Sequence, residues 1–240
     1  MAILRSREFP REHVIVTLCP RDRLRVFLST IPASEVSVYP VEHSAPTQMI
    51  LEGIVTTLDP ADRVNVAPMG PIVDPEMETL RLRPFKTSTT YQNLRARPYG
   101  VFHVTDDVLV LARAAIGALT EAPPLFPAEK IPGRVLADAC RWYEFEIVAV
   151  DDSQDRTELQ ARIVHCGRIR DFFGFNRAKH AVLEAAILAT RVHMLARSDI
   201  LAQFAALEIP VRKTAGPREL EAFELLRQYI AVHPAGQTED

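Results

Sequence analysis

The chain has 240 residues, enough for one large domain or two small ones, and its 48% hydrophobic content is that of a globular protein with a sizeable core. A formal charge of −3, from 28 basic and 31 acidic residues, speaks against a protein devoted to nucleic acid. Cys19, Cys140 and Cys166 are too few and too widely spaced for a disulfide framework or a CxxC metal pair, which fits a reducing cytoplasm. No apolar run reaches membrane-spanning length, and none near the N-terminus matches a signal-peptide core, so neither a membrane nor a nucleic-acid partner is expected.

Residues 1–48 carry five prolines, no glycine and only short apolar pieces, "HVIVTL" and "LRVFLSTI". Two strands are one reading. An ill-ordered, dispensable extension, with the chain proper starting at Met49, is the one expected. From Met49 the pattern changes. "MILEGIVTTL" and "RVNVAPMGPIV" predict a hairpin around Asp59-Pro-Ala-Asp62. "METLRLRPF" predicts a third strand with Leu80 and Leu82 on one face and Arg81 and Arg83 on the other. A short helix from Thr87 to Ala96 follows, then a strand over "GVFHVT" and a helix capped by Asp106-Asp107 that runs through Ile116.

Four prolines mark 121–133 as a surface loop, and "RWYEFEIVAVDD" with "RTELQARIVHCG" predicts a long hairpin. Beyond "FFGFN" the period becomes helical: a helix capped by Asn176, a second from Asp199 to about Glu208 ended by Pro210, and a third from near Pro217 to about Val232. The fold class is α+β, a six-stranded antiparallel unit over 49–172 followed by a helical subdomain over 173–240.

Three places invite a functional reading, each beside a structural one. In "RLRPFKTSTTYQNL", Lys86 and the hydroxyls of Thr87, Ser88, Thr89 and Thr90 meet a helix start, whose free N–H groups and dipole favour a phosphate. The same residues also serve as an ordinary capping segment, and no GxxxxGK[ST] or GxGxxG accompanies them. In "NVAPMGPIV", Pro68 and Pro71 flank Met69-Gly70 and should break the ladder, freeing backbone groups for a flat polar heterocycle or simply marking a bulge at a barrel rim. On the helix after Asn176, Arg177, His180, Glu184 and Arg191 fall in one stripe at about 100° per residue, either a solvated face or the wall of a pocket. There the Asn176-Arg177 start would be a second anion site. His180 with Glu184 is the sole acid–base candidate. The histidines show no metal-binding spacing.

In order and spacing, "ILEGIVTT", "VNVAPMGPIV", "LRPFKTSTTYQNL", "GVFHVTDDV" and "GFNRAKHAVLEAAILATR" resemble the DUF447 family of flavoprotein-like proteins over about residues 49–230. The resemblance implies an FMN-binding split barrel with a helical C-terminal part, more remotely similar to flavin reductases. It implies a phosphate site at Arg83, Lys86, Thr87, Ser88, Thr89 and Thr90 with Asn93 behind them, an isoalloxazine lying along Ala67-Pro68-Met69-Gly70, and a homodimer. The function expected from it is an FMN-dependent oxidoreductase passing electrons between NAD(P)H and a small molecule, with a flavin carrier or sensor as the alternative.

Overall fold

The computed structural model describes residues 49–233, and the expectations for 1–48 lie outside them. Asp59 turns the first hairpin: its Oδ1 accepts the N–H groups of Ala61 (2.8 Å) and Arg63 (2.9 Å), and Asp62 takes up a φ of 62°. On either side lie β2 (Gly53–Leu58) and β3 (Val64–Met69), preceded by β1 (Met49–Ile50) and followed by β4 (Ile72–Val73). Next come β5 (Thr79–Leu82), the helix α1 (Thr89–Ala96), β6 (Tyr99–Val104) and the helix α2 (Val108–Ala115). A small hairpin, β7 (Leu125–Pro127) and β8 (Arg134–Leu136), precedes the long β9 (Arg141–Asp151) and β10 (Glu158–Arg168). Three helices close the described chain: α3 (Arg177–Thr190), α4 (Arg197–Thr214) and α5 (Pro217–Val232).

The main sheet is antiparallel throughout, in the order β1-β4-β5-β10-β9-β6-β2-β3. Its two ends are joined by the chain itself. β1 runs into β2 through Leu51-Glu52, and β3 runs into β4 through Gly70-Pro71, with Leu51 N–H donating to Pro71 C=O across the gap (3.1 Å). If each interrupted pair is taken as one strand, the eight segments are six, and the sheet curls into the expected split barrel. Its interior is filled by Val55, Leu80, Leu82, Phe102, Phe145 and Leu159, with Leu94 of α1 as a plug. Leu80 and Leu82 point inward as their alternation with Arg81 and Arg83 requires.

β2 is buried on both faces. Val55 points into the barrel, whereas Ile54 joins a second core with α2, α3, α4 and α5. That core depends on small residues: α3 buries Ala178, Ala181, Ala185, Ala186 and Ala189, which lets its neighbours approach closely, and Phe204 of α4 stacks on Phe223 of α5 at 5.1 Å.

Several expectations need correction. Pro210 does not end the second C-terminal helix, because α4 continues to Thr214 and buries Val211 beyond the proline. Tertiary packing there outweighs the hydrogen bond that proline cannot donate. Residues 121–133 are not all loop: Pro127 pairs with Arg134 in β7–β8, a sheet of only two strands where a missing N–H can face outward. Pro68 does not break the ladder either. It pairs with Ile54 in β3, which has no neighbour on its other side among the described residues, and the break falls at Gly70-Pro71.

Candidate functional site

Between β5 and α1 the chain makes a tight passage. Ser88 is the N-cap of α1, accepting the Tyr91 N–H at 3.2 Å while its hydroxyl donates to Phe85 C=O at 2.7 Å. Ser88 therefore serves only the third first-turn N–H group and leaves those of Thr89 and Thr90 to an outside acceptor. Thr87 and Thr89 are exposed, and Lys86 is half-buried beside them. Arg83, at the end of β5, has its Nε buried without a hydrogen-bond partner among the described residues. A buried guanidinium nitrogen with nothing to donate to costs stability unless a ligand supplies an acceptor.

The other residues of that stretch hold the helix. Thr90 Oγ1 accepts from Asn65 Nδ2 of β3 (3.1 Å), and Asn93 Nδ2 donates to Thr57 Oγ1 of β2 (3.0 Å). Both threonine side chains and the Asn93 amide are buried, so they fix α1 on the first hairpin. Tyr91 ties α1 to the far side by donating to Asp152 Oδ2 (2.7 Å).

Ala67, Pro68, Met69 and Gly70 lie along β3 and its end, all half-buried, with the backbone pairing interrupted after Met69. Gly70 leaves room for two neighbouring side chains: a Cβ there would lie 2.7 Å from Glu52 Oε1 and 2.8 Å from Ile50 Cγ2, and both would have to shift. Glu52 occupies the opposite side of the break, and its carboxyl pKa is raised, first by burial and second by the charge of Glu184 on α3. Although its side chain retains contact with solvent, this places the helical stripe and the strand break within electrostatic reach of each other. Sequence reasoning missed Glu52; an acid interrupting "ILEGIV" on the strand facing Gly70 was the available signal.

The stripe itself is divided in use. Asn176 is committed to capping α3, its Oδ1 accepting from Ala178 (2.8 Å) and Lys179 (3.2 Å) and its Nδ2 donating to Thr214 C=O (3.0 Å). Arg177, His180 and Glu184 are exposed, and the His180 ring stacks with that of Phe175 at 6.1 Å. Asp106, read from the sequence as a cap, accepts instead from Arg170 (2.6 Å) and from the Phe173 N–H (2.8 Å), while Asp107 caps α2 and pairs with Arg218 of α5. The Arg170 and Phe173 bonds hold the Asp106 carboxyl down at about 2 against the opposing effect of burial, which is the largest single influence.

Two adjoining family models match the sequence: "Protein of unknown function (DUF447) N-terminal domain" over residues 51–170 and "Protein of unknown function (DUF447)" over 176–228. The chain belongs to the DUF447 family. Among solved structures, the DUF447 chain is similar to an FMN-bound protein of the same family from Methanosarcina mazei, at 25% identity and a TM-score of 0.64, over 76% of this chain and 95% of that one. It is also similar, at TM-scores of 0.43 and 0.44, to a styrene monooxygenase flavin reductase from Pseudomonas putida S12 (15% identity, 50% of this chain, 80% of that one) and a flavoredoxin from Methanosarcina acetivorans (9% identity, 50% and 68%). The DUF447 match spans both the barrel and the helices, including the α1 passage and the strand break. No group of three or more His, Cys, Asp or Glu among the described residues could hold a metal ion.

Proposed function

We propose that the chain is an FMN-binding oxidoreductase whose phosphate cradle is the β5–α1 passage. The observation that carries it is the buried, unpartnered Arg83 Nε in the segment that leads to the open N-terminus of α1. A phosphate oxygen satisfies that nitrogen, and the first-turn N–H groups, the Lys86 ammonium and the hydroxyls of Thr87 and Thr89 provide further donors of the right sign. The FMN-bound relative of the same family supports the identity of the ligand. When bound, FMN supplies hydride and electron transfer at its ring.

The chain's own part is position and electrostatics. Ala67 to Gly70 offer an edge of backbone that is unpaired among the described residues, open to the heterocycle, and Gly70 leaves room for Glu52 beside it. Glu52, whose proton is held more tightly than usual, is a better candidate than His180 for exchanging a proton at that edge. The reading includes a homodimer, supported by the exposed apolar side chains of Met49, Ile50, Val148 and Val150, of which Val148 lines an open cavity of about 620 Å³ over β4, β5, β9 and β10.

Lys86→Ala tests the cradle. FMN binding should weaken by about 1.5 kcal/mol, roughly tenfold, the low end for a hydrogen bond to a charged group because Asp151 already shares the lysine's field. Riboflavin, which has no phosphate, should bind the variant and the parent equally. Equal loss for both flavins would reduce the passage to a helix cap. Anaerobic bleaching of the bound flavin by NADH or NADPH separates an oxidoreductase from a flavin carrier.

A further inference from the structure

The β9–β10 hairpin holds the β5–α1 passage from both sides. Just before β10, the Thr157 N–H (3.0 Å) and hydroxyl (2.8 Å) both donate to Pro84 C=O, and the Lys86 N–H donates to Asp155 C=O at 2.9 Å. Between those bonds Phe85 and Arg156 face each other as an antiparallel bridge, with the Arg156 guanidinium 5.7 Å from the centroid of the Phe85 ring. On the helix side, Tyr91 of α1 donates its hydroxyl to Asp152 Oδ2 of the same hairpin at 2.7 Å. Within the passage, Phe85 C=O accepts both the N–H (2.9 Å) and the hydroxyl (2.7 Å) of Ser88, the N-cap of α1. Thr157 is fully buried, so its hydroxyl would cost stability without an acceptor, and Pro84 C=O is the acceptor it meets. Valine would fill nearly the same volume without that cost, which directs the chemistry of this position at Pro84.

We propose that Thr157 is a positioning residue for FMN: through Pro84 it sets the Arg83 guanidinium against the first turn of α1, where the phosphate is held. The inference rests on the β5–α1 passage being the phosphate cradle. Arg83, whose buried Nε has no partner among the described residues, directly precedes Pro84. The proline ring locks its own φ near about −65°, so a tilt of the Pro84 carbonyl is passed back to Arg83 rather than absorbed at that bond. In the forward direction the same peptide unit leads to Phe85, whose carbonyl carries the N-cap of α1. The Thr157 hydroxyl therefore stands between two sets of donors that must converge on one phosphate. Hydrogen bonds weaken steeply when their angles are lost, and those to a charged group have the most to lose. Loosening this brace costs phosphate affinity and spares the ring site along Ala67 to Gly70, which belongs to a different hairpin. The Tyr91–Asp152 bond braces α1 from the same hairpin.

The experiment is calorimetric titration of the full chain with FMN and with riboflavin, run on the parent, Thr157→Val, Thr157→Ser and Tyr91→Phe, together with their melting temperatures. Thr157→Val should weaken FMN about fivefold, part of the roughly tenfold carried by one hydrogen bond to a charged group, and leave riboflavin unchanged. Thr157→Ser keeps the hydroxyl and should restore the parent's affinity for FMN. Tyr91→Phe, which removes the half-buried brace, should move the FMN-to-riboflavin ratio the same way by less. It decides the question if Thr157→Val does not fold, and an unchanged ratio there then overturns the inference. A lower melting temperature of Thr157→Val with an unchanged ratio would make Thr157 a packing residue and overturn it, as would equal weakening of both flavins or no rescue by serine. In each of those cases, FMN binding tighter than riboflavin in the parent keeps the cradle. FMN binding no tighter than riboflavin in the parent overturns both.

Discussion

His103 makes the barrel sensitive to mild acid. The side chain is fully buried on β6; its Nε2 accepts the Leu136 N–H of β8 at 3.0 Å, so its Nδ1 carries the proton and donates to Ile54 C=O of β2 at 3.1 Å. Protonation would turn Nε2 into a donor facing a donor and would bury a charge. Burial accordingly lowers the pKa from 6.5 to about 4, with the Ile54 bond working in the opposite direction. Between those values the unfolded chain binds a proton that the folded chain does not, so stability falls as pH falls from about 6.5 to about 4 and is fully present above that window. At 1.36 kcal/mol per unit, that difference comes to about 3 kcal/mol. The assay is urea unfolding of the parent and of His103→Gln between pH 4 and 7.5. The parent should lose about 3 kcal/mol relative to the variant on acidification. Parallel pH profiles for the two would refute the argument, because every other titrating group is common to both.

Three further outcomes are expected. Gly167→Ala places a methyl group inside the ring of Trp142, the only tryptophan of the chain, and should cost about 1–3 kcal/mol with a shift in tryptophan emission; unchanged emission and melting temperature would contradict that packing. Glu52→Gln should raise the melting temperature more at pH 7 than at pH 4, since a carboxyl with a raised folded-state pKa loses its stabilising effect as pH rises through that pKa. Pro210→Ala restores a donor near the C-terminal end of α4 and should stabilise the fold by about 1–3 kcal/mol in thermal unfolding, with no effect on flavin affinity.

The barrel was legible where period and turn chemistry agree, as in the Asp59 hairpin, in Leu80 and Leu82 against Arg81 and Arg83, and in the Asn176 cap. It was illegible where packing decides. Pro210 reads as a stop until Val211 is seen to be buried beyond it, and the prolines of 121–133 read as loop although Pro127 finds a two-stranded sheet. At the site, the sequence marked the hydroxyl run but not its division of labour. Thr90 and Asn93 are tethers to β3 and β2, Ser88 is a cap, and Thr87 and Thr89 alone stay exposed. Glu52 is visible as the acid in "ILEGIV", but its meaning comes from Gly70 and Glu184, which are distant along the chain.

The interrupted hairpin also sets the order in which the molecule can assemble. β9 with β10, and β2 with β3, join neighbours across short turns and gain contacts while little chain entropy is lost. β4 also meets β5 across a short turn, but closing the circle needs β2 to reach β6 across everything from β3 to α1, and β5 to reach β10 across everything from α1 to β9. Those pairings carry the large loop-closure cost and govern the folding rate. The kink at Gly70-Pro71 lets a single hairpin serve both sides of the seam. Substitutions that stiffen it should slow refolding far more than they hasten unfolding.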